Sequence, residues 1–233
     1  MSHRLLNAIF QQVDGSLFVV YQSNTVAPKN QSEQPDYFVI SSYFNIMIIL
    51  GEVQEELLML KIFSTQLFGL FKKWQDSHEE SIEDAARILA QASVGEGHIY
   101  IYGKQEMQAV GIEATEGVDA LANAKVWDSS ASFDDISASD RFLIITRESD
   151  DKEALLLAQH LSNQFIPFAT ISALPSDNTE QLASYSDVHF DLQLKQGLVP
   201  NESGKRVGYP SAIGALFIYH GIKFTLDEIL ADY

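Results

Sequence analysis

Arg141-Phe142-Leu143-Ile144-Ile145-Thr146 is the stretch that decides the fold. Four consecutive large apolar residues with no alternation describe a strand covered on both faces, as in a parallel sheet between two helical layers. Outward from it the chain alternates. A helical pattern runs from about Asp150 to Gln164, and Pro167–Ile171 follows as a second apolar strand. Upstream, His98-Ile99-Tyr100-Ile101-Tyr102-Gly103 is a β-branched and aromatic run. It leads into a helix over Gln105–Glu116, a short strand at Lys125–Trp127 and an acidic, serine-rich loop, Asp128–Asp140. Val188–Leu192 reads as a last short strand. Strands that alternate with helices imply right-handed β-α-β units.

The flanks are helical. Leu60, Phe63, Leu67, Leu70, Phe71 and Trp74 recur at helical spacing, so Leu60–Gln75 is an amphipathic helix. Asp76–Glu80 reads as a polar turn, after which Ser81 caps a second helix that Gly95 stops. Near the other end Pro210 suits a first helical position, and Ala212–Tyr219 is apolar nearly all round. Gly221 reads as its end, with Thr225 and Glu228 as a capping box for a terminal helix, Leu226–Ala231. The expected fold is α/β, a three-layer αβα sandwich with a mainly parallel, flavodoxin-like sheet and two leading helices.

Residues 1–58 read differently and are treated as a separate N-terminal extension to a 59–233 domain. They show short apolar runs, with strands expected near Ser16–Gln22 and Tyr37–Ser42. Gln54-Glu55-Glu56 can be encoded with an AGGAG core ahead of Met59. One reading therefore makes Met59 the biological start and residues 1–58 translated leader; the other keeps them as a genuine small extension. Mass spectrometry of the native N-terminus separates the two.

Composition narrows the partners. The 233 residues carry a formal net charge of −17 and contain no cysteine. Such a surface repels nucleic acid and anionic lipid. The missing cysteines exclude disulfides, thiolate metal sites and a cysteine nucleophile, and fit a reducing cytoplasm. The most apolar run, Tyr37–Leu50, is interrupted by Ser41, Ser42 and Asn45, and a membrane span needs roughly 20 apolar residues. No nucleic-acid partner, membrane partner, metal or cofactor is expected.

Ligands of open parallel sheets bind beyond the carboxyl ends of the strands. That rule selects Gly103–Met107, Thr146–Asp151, Ser172–Ser176 and whatever follows Leu192. Lys104 and Gln105 stand at a strand-to-helix turn whose free amides suit an anion. Thr146, Arg147 and Ser149 offer hydroxyls and a guanidinium, although Glu148, Asp150 and Asp151 crowd the same loop. Lys205 and Arg206 lie in a long turn-rich loop before the buried helix. Glu113 and His220 are the candidate proton carriers, since such a pair can move protons next to a carbonyl. No zinc-protease motif, nucleophile elbow or P-loop is present.

The arrangement resembles the sugar isomerase (SIS) domain. More closely, it is similar to an uncharacterised bacterial family known only as domain of unknown function 2529. The stretches that carry this likeness are Met59–Phe71, Ile82–Gln91, Gly204–Pro210 and Lys223–Ala231. The resemblance implies a Rossmann-like cytoplasmic domain that binds a phosphosugar, another carbohydrate derivative or a related anion, and that forms a homodimer. The usual SIS phosphate loop is Ser-x-Ser-Gly-x-Ser/Thr; here only the hydroxyls of Thr146 and Ser149 correspond, and the glycine is absent. Phosphoheptose isomerases of that superfamily use a glutamate and a helical histidine, and Glu113 and His220 lie in comparable regions. Three functions are thereby expected in order: a phosphosugar-binding module, an aldose-ketose phosphosugar isomerase, and an inactive association module that pairs through the aromatic helix Leu60–Trp74.

Overall fold

The computed structural model describes residues 7–13, 16–22, 37–174 and 181–232, with side chains described from residue 58 onward. The chain divides into two compact units, Met1–Gly51 and Glu52–Tyr233. In the first, β1 (Asn7–Val13) and β2 (Ser16–Gln22) pair antiparallel, with Val13 opposite Ser16. Tyr37–Ser42, expected as a strand, is instead the start of a helix, α1, which spans Tyr37–Val94. A short apolar run does not distinguish strand from helix by its pattern; length does, and this one continues for many turns. Among the described residues no helix is long and apolar enough to cross a membrane.

In the second unit α1 passes without interruption through Asp76–Glu80, so the two expected leading helices are one. Tertiary anchors override the polar composition there. Trp74 is fully buried and its Nε1 donates to the Leu192 carbonyl at 2.9 Å. One turn later His78 is buried as well, its Nε2 3.1 Å from the Asp191 carbonyl and its ring edge-on to Phe190. No glycine or proline breaks the segment, so these anchors hold it helical.

After α1 come β3 (Ile99–Gly103), a 3-10 turn (Gln105–Met107), α2 (Gln108–Glu116), β4 (Ala124–Val126) and β5 (Arg141–Glu148). Then follow α3 (Lys152–Asn163), β6 (Phe168–Ala173), β7 (Val188–Asp191), a small hairpin of β8 (Val199–Pro200) with β9 (Arg206–Val207), and α4 (Ser211–Ala231). The five-stranded sheet is parallel throughout, in the order β4-β3-β5-β6-β7. Counted from β3, this is the flavodoxin-like order with its switch point between β3 and β5.

The sheet divides two cores. Leu143 and Ile145 of β5 face a layer built with Leu89 of α1, Val110 of α2 and Ile218 of α4. Phe142 and Ile144 face the opposite layer with Leu157 and Leu161 of α3. The unbroken apolar run of β5 is therefore two interleaved faces, each buried. The expected three-layer α/β sandwich is the observed architecture.

Gly221 does not end a helix. α4 runs on to Ala231, and a Cβ at Gly221 would lie 3.0 Å from Ile82 Cδ1. One at Gly214 would lie 2.7 Å from the Trp74 ring. These glycines let α4 approach α1 closely. Thr225 bonds back to the Gly221 carbonyl at 3.1 Å rather than capping a new helix.

Candidate functional site

The helices that follow the paired strands β3 and β5 lie on opposite faces of the sheet, and the carboxyl ends of these strands hold the residues that the topological rule selects. The Lys104 amide still bonds to the Ile145 carbonyl at 3.1 Å, which ties the loop after β3 to β5. Gln105 then turns with φ +54°, in the left-handed region, and the 3-10 turn follows at once. Gly103 permits that tight return: a Cβ there would sit 2.5 Å from the Met107 carbonyl oxygen and 2.7 Å from its carbon. Gly103→Ala must therefore move backbone. It should cost about 2–3 kcal/mol, read as a lower urea midpoint with the slope unchanged. A loss under about 0.5 kcal/mol contradicts this packing, because neutral surface changes fall within that range.

β5 runs past Thr146 to Glu148, with an irregularity in its pairing between Ile145 and Glu148. Bulges of this kind re-aim side chains at sheet ends. Arg147 emerges there. Its Nε donates to Glu106 Oε1 at 2.7 Å and its Nη2 to Oε2 at 2.6 Å, a two-pronged pair between the loop after β3 and the end of β5. Ser211, buried in the first turn of α4, donates to the same Oε1 at 2.7 Å. The guanidinium and the serine hydroxyl lower the Glu106 pKa to about 2, so this carboxylate stays ionised.

A cleft of about 930 Å³ opens beside this group. Glu106, Arg147, Glu148 and Asp150 line one side, Lys195 and Tyr209 another. The first turn of α4, with Ser211, Ala212 and Ile213, closes it. That first turn has neither an acidic residue nor a side-chain cap. The Tyr209 hydroxyl donates to the Leu194 carbonyl at 2.7 Å, and burial, then the Glu148 charge, raises its pKa. A second, smaller recess of about 190 Å³ shares Arg147, Glu148 and Asp150 and adds Lys104, Gln105, Thr146 and Asp151.

The sequence-selected residues divide accordingly. Lys104, Gln105, Thr146 and Arg147 come together around the small recess. Several of its polar groups are already engaged: Lys104 pairs with Glu153 at 2.5 Å, Thr146 donates to the Glu148 carbonyl at 2.7 Å, and the Asp151 carboxylate accepts from the Ala154 amide at 3.0 Å. Ser149 is fully buried and lies outside both linings. Of the segment Ser172–Ser176, Pro175 and Ser176 lie outside the described residues, while Ala173 and Leu174 reach the large cleft. Lys205 is exposed on the β8–β9 turn, while Arg206 donates to the Gly197 and Leu198 carbonyls at 2.9 and 2.8 Å. Neither lines either recess.

Glu113 and His220 also lie outside both linings. Glu113 is half-buried on α2, near enough to Tyr219 to help raise that phenol's pKa, for which burial is the larger cause. His220 packs between Tyr219 and Phe224, and stands nine positions beyond Ser211, about 14 Å along the helix. Among the described residues no three His, Asp or Glu side chains converge as a metal site.

Glu106, Lys195, Tyr209 and Ser211 line the large cleft; they fall within or beyond the segments that the sequence selects but are not singled out there as binding residues. Position was the available signal. Glu106 stands three residues beyond the strand-ending Gly103, Lys195 four beyond the end of β7, and Ser211 directly after Pro210.

The uncharacterized protein YwjG of Bacillus subtilis is 41% identical over 175 residues, 75% of this chain and 99% of that protein. The sugar isomerase domain of an RpiR transcription factor from Sphaerobacter thermophilus superposes with a TM-score of 0.50 at 13% identity, covering 74% of this chain and 89% of that one. The NanR protein of Vibrio vulnificus, solved in complex with ManNAc-6P, gives a TM-score of 0.54 at 16% identity, covering 75% of this chain and 63% of that one. At these identities the structures establish a shared fold, the SIS fold. Residues 59–230 match the family described as Domain of unknown function (DUF2529), and to that family the chain belongs.

Proposed function

We propose that this protein binds a sugar phosphate or a closely related anionic carbohydrate derivative in the large cleft. The observation that carries this reading is the cleft's mixed lining at the carboxyl rim of the sheet. Arg147 and Lys195 supply positive charge, while Glu148 and Asp150 supply carboxylates. A phosphate takes the former, because guanidinium and ammonium donors make the stronger, charge-assisted bonds. The sugar hydroxyls donate to the latter. Leu194, Ala173 and Ile213 offer apolar surface to the C–H face of the ring. The volume lies within the range of small-molecule sites. The shared fold with a protein solved in complex with ManNAc-6P supports the same ligand class.

The reading is one of binding. Glu113 and His220 stand outside the cleft lining, so no proton transfer is assigned to them. The charge of −17 also argues against nucleic acid as the anionic partner, since a polyanion would meet the whole surface and not the cleft alone.

Thermal melts with a hexose 6-phosphate, a pentose 5-phosphate and their unphosphorylated sugars test this. A ligand at 100 times its Kd stabilises by about 2.7 kcal/mol, a rise of about 5–11 °C in a domain of this size. The phosphorylated sugars should produce it and the plain sugars should not. Lys195→Ala should weaken binding about tenfold without changing the ligand-free melt. Melts unmoved by any phosphosugar contradict the proposal.

A further inference from the structure

We propose that Glu106 determines which anions the cleft accepts: its carboxylate already holds the donors of Arg147 and Ser211, and an incoming anion has to displace it. This rests on the anion-binding reading of the cleft.

Three bonds converge on that one carboxylate, from Arg147 Nε and Nη2 at 2.7 and 2.6 Å and from Ser211 Oγ at 2.7 Å. All three residues line the large cleft. The arrangement is what a bound anion would receive there: a planar guanidinium presenting two parallel N–H groups, plus a hydroxyl at the head of α4. Glu106 thus stands in, from within the chain, for the anionic group of a ligand. Lys195, by contrast, has no carboxylate within ion-pair distance among the described residues, so it can draw an anion into the cleft before Arg147 is released.

Displacement sets a threshold of charge. A carboxylate ligand carries one negative charge and offers Arg147 the same geometry that Glu106 offers, so the exchange gains little. It also frees the Glu106 carboxylate into a wall that already holds Glu148 and Asp150. A phosphomonoester carries about −1.5 to −2 at neutral pH and three acceptor oxygens, enough to engage Arg147, Ser211 and Lys195 together. The cleft should therefore take sugar phosphates and reject sugar acids, with Glu106 as the source of the discrimination.

Isothermal titration of wild type and Glu106→Gln with a hexose 6-phosphate and the matching hexuronate tests this. Glutamine keeps the size of the side chain and removes the charge that competes. Wild type should prefer the phosphate by at least about thirtyfold, and Glu106→Gln should narrow that ratio to about fivefold or less, chiefly by gaining affinity for the uronate. Glu106→Ala removes the competing carboxylate altogether and should move the ratio the same way. It carries the test if Glu106→Gln does not melt cooperatively. A purely structural cross-link would change stability and leave the ratio alone. Phosphate binding with the same ratio in wild type and variants, within about twofold, overturns the role of Glu106 and leaves the cleft as a sugar-phosphate site. Absence of binding by every protein to either ligand overturns both.

Discussion

Trp74→Ala should lower the stability of the folded domain by about 4 kcal/mol, within the usual range for removing a buried Trp. For a domain of this size that is a fall of roughly 8–16 °C in melting temperature. The side chain is fully buried, edge-on to Phe71 at 5.9 Å and 6.3 Å from Phe217, and in contact with Gly214. Its Nε1 holds the Leu192 carbonyl just past β7. Removal leaves a void between α1 and α4 and an unpaired carbonyl. Gly214 cannot fill the space, because its lack of a side chain is what lets the two helices meet. Trp74→Phe keeps part of the volume but not the donor, and should cost about half as much. Urea unfolding of the three proteins measures both. A change below about 1 kcal/mol for the alanine variant contradicts the packing described here.

The second large effect is loss of stability on mild acidification. His189 on β7 is half-buried, with its Nδ1 2.7 Å from the Thr170 hydroxyl and its Nε2 shielded from solvent without a partner. Burial lowers its pKa from 6.5 to about 4 in the folded chain, and the nearby His78 works in the same direction. The unfolded chain binds this proton near pH 6.5, the folded chain only near pH 4. Stability is thus complete above the unfolded value and declines as pH falls through the interval between them. The loss is about 2 kcal/mol by pH 5 and about 3 kcal/mol by pH 4. Burial also lowers the pKa of His78, which adds to the decline. Glu106, held at about 2 against an ordinary 4.5, adds its own loss as pH falls from about 4.5 toward 2. His189→Gln removes the titrating group and should flatten the curve by up to one proton, about 1.4 kcal/mol per pH unit, between about pH 6 and 4.5. Parallel curves for wild type and variant contradict the assignment.

Much of this fold was legible because β5 shows both cores at once. Phe142 and Ile144 serve one layer, Leu143 and Ile145 the other, and only a doubly covered strand needs all four to be apolar. The helices were legible by period but not by length. Asp76–Glu80 looks like a turn in isolation and is kept helical by Trp74 and His78, whose partners lie more than a hundred residues away. Gly221 looks like a stop and is a point of close approach to Ile82. In both places a local signal yielded to a long-range contact.

The candidate site divided in the same way. The rule that ligands meet the carboxyl ends of parallel strands led to Lys104, Gln105, Thr146 and Arg147, which share one recess. It did not reveal that Arg147 is held by Glu106, 41 positions earlier, or that Ser211 joins them from α4. Nor did it show that Glu153 pairs with Lys104 in the smaller recess, or that Asp151 there caps α3. Pairings of this kind depend on where the chain returns, and no spacing in the sequence records it.

A crystal structure with a hexose 6-phosphate bound is the most direct measurement. The proposed function predicts phosphate density in the large cleft, within hydrogen-bond distance of Arg147, Lys195 and Ser211, with the Glu106 carboxylate turned away from the guanidinium. Phosphate density confined to the Lys205 turn, or an unchanged Glu106–Arg147 pair beside an empty cleft at saturating ligand, would contradict it.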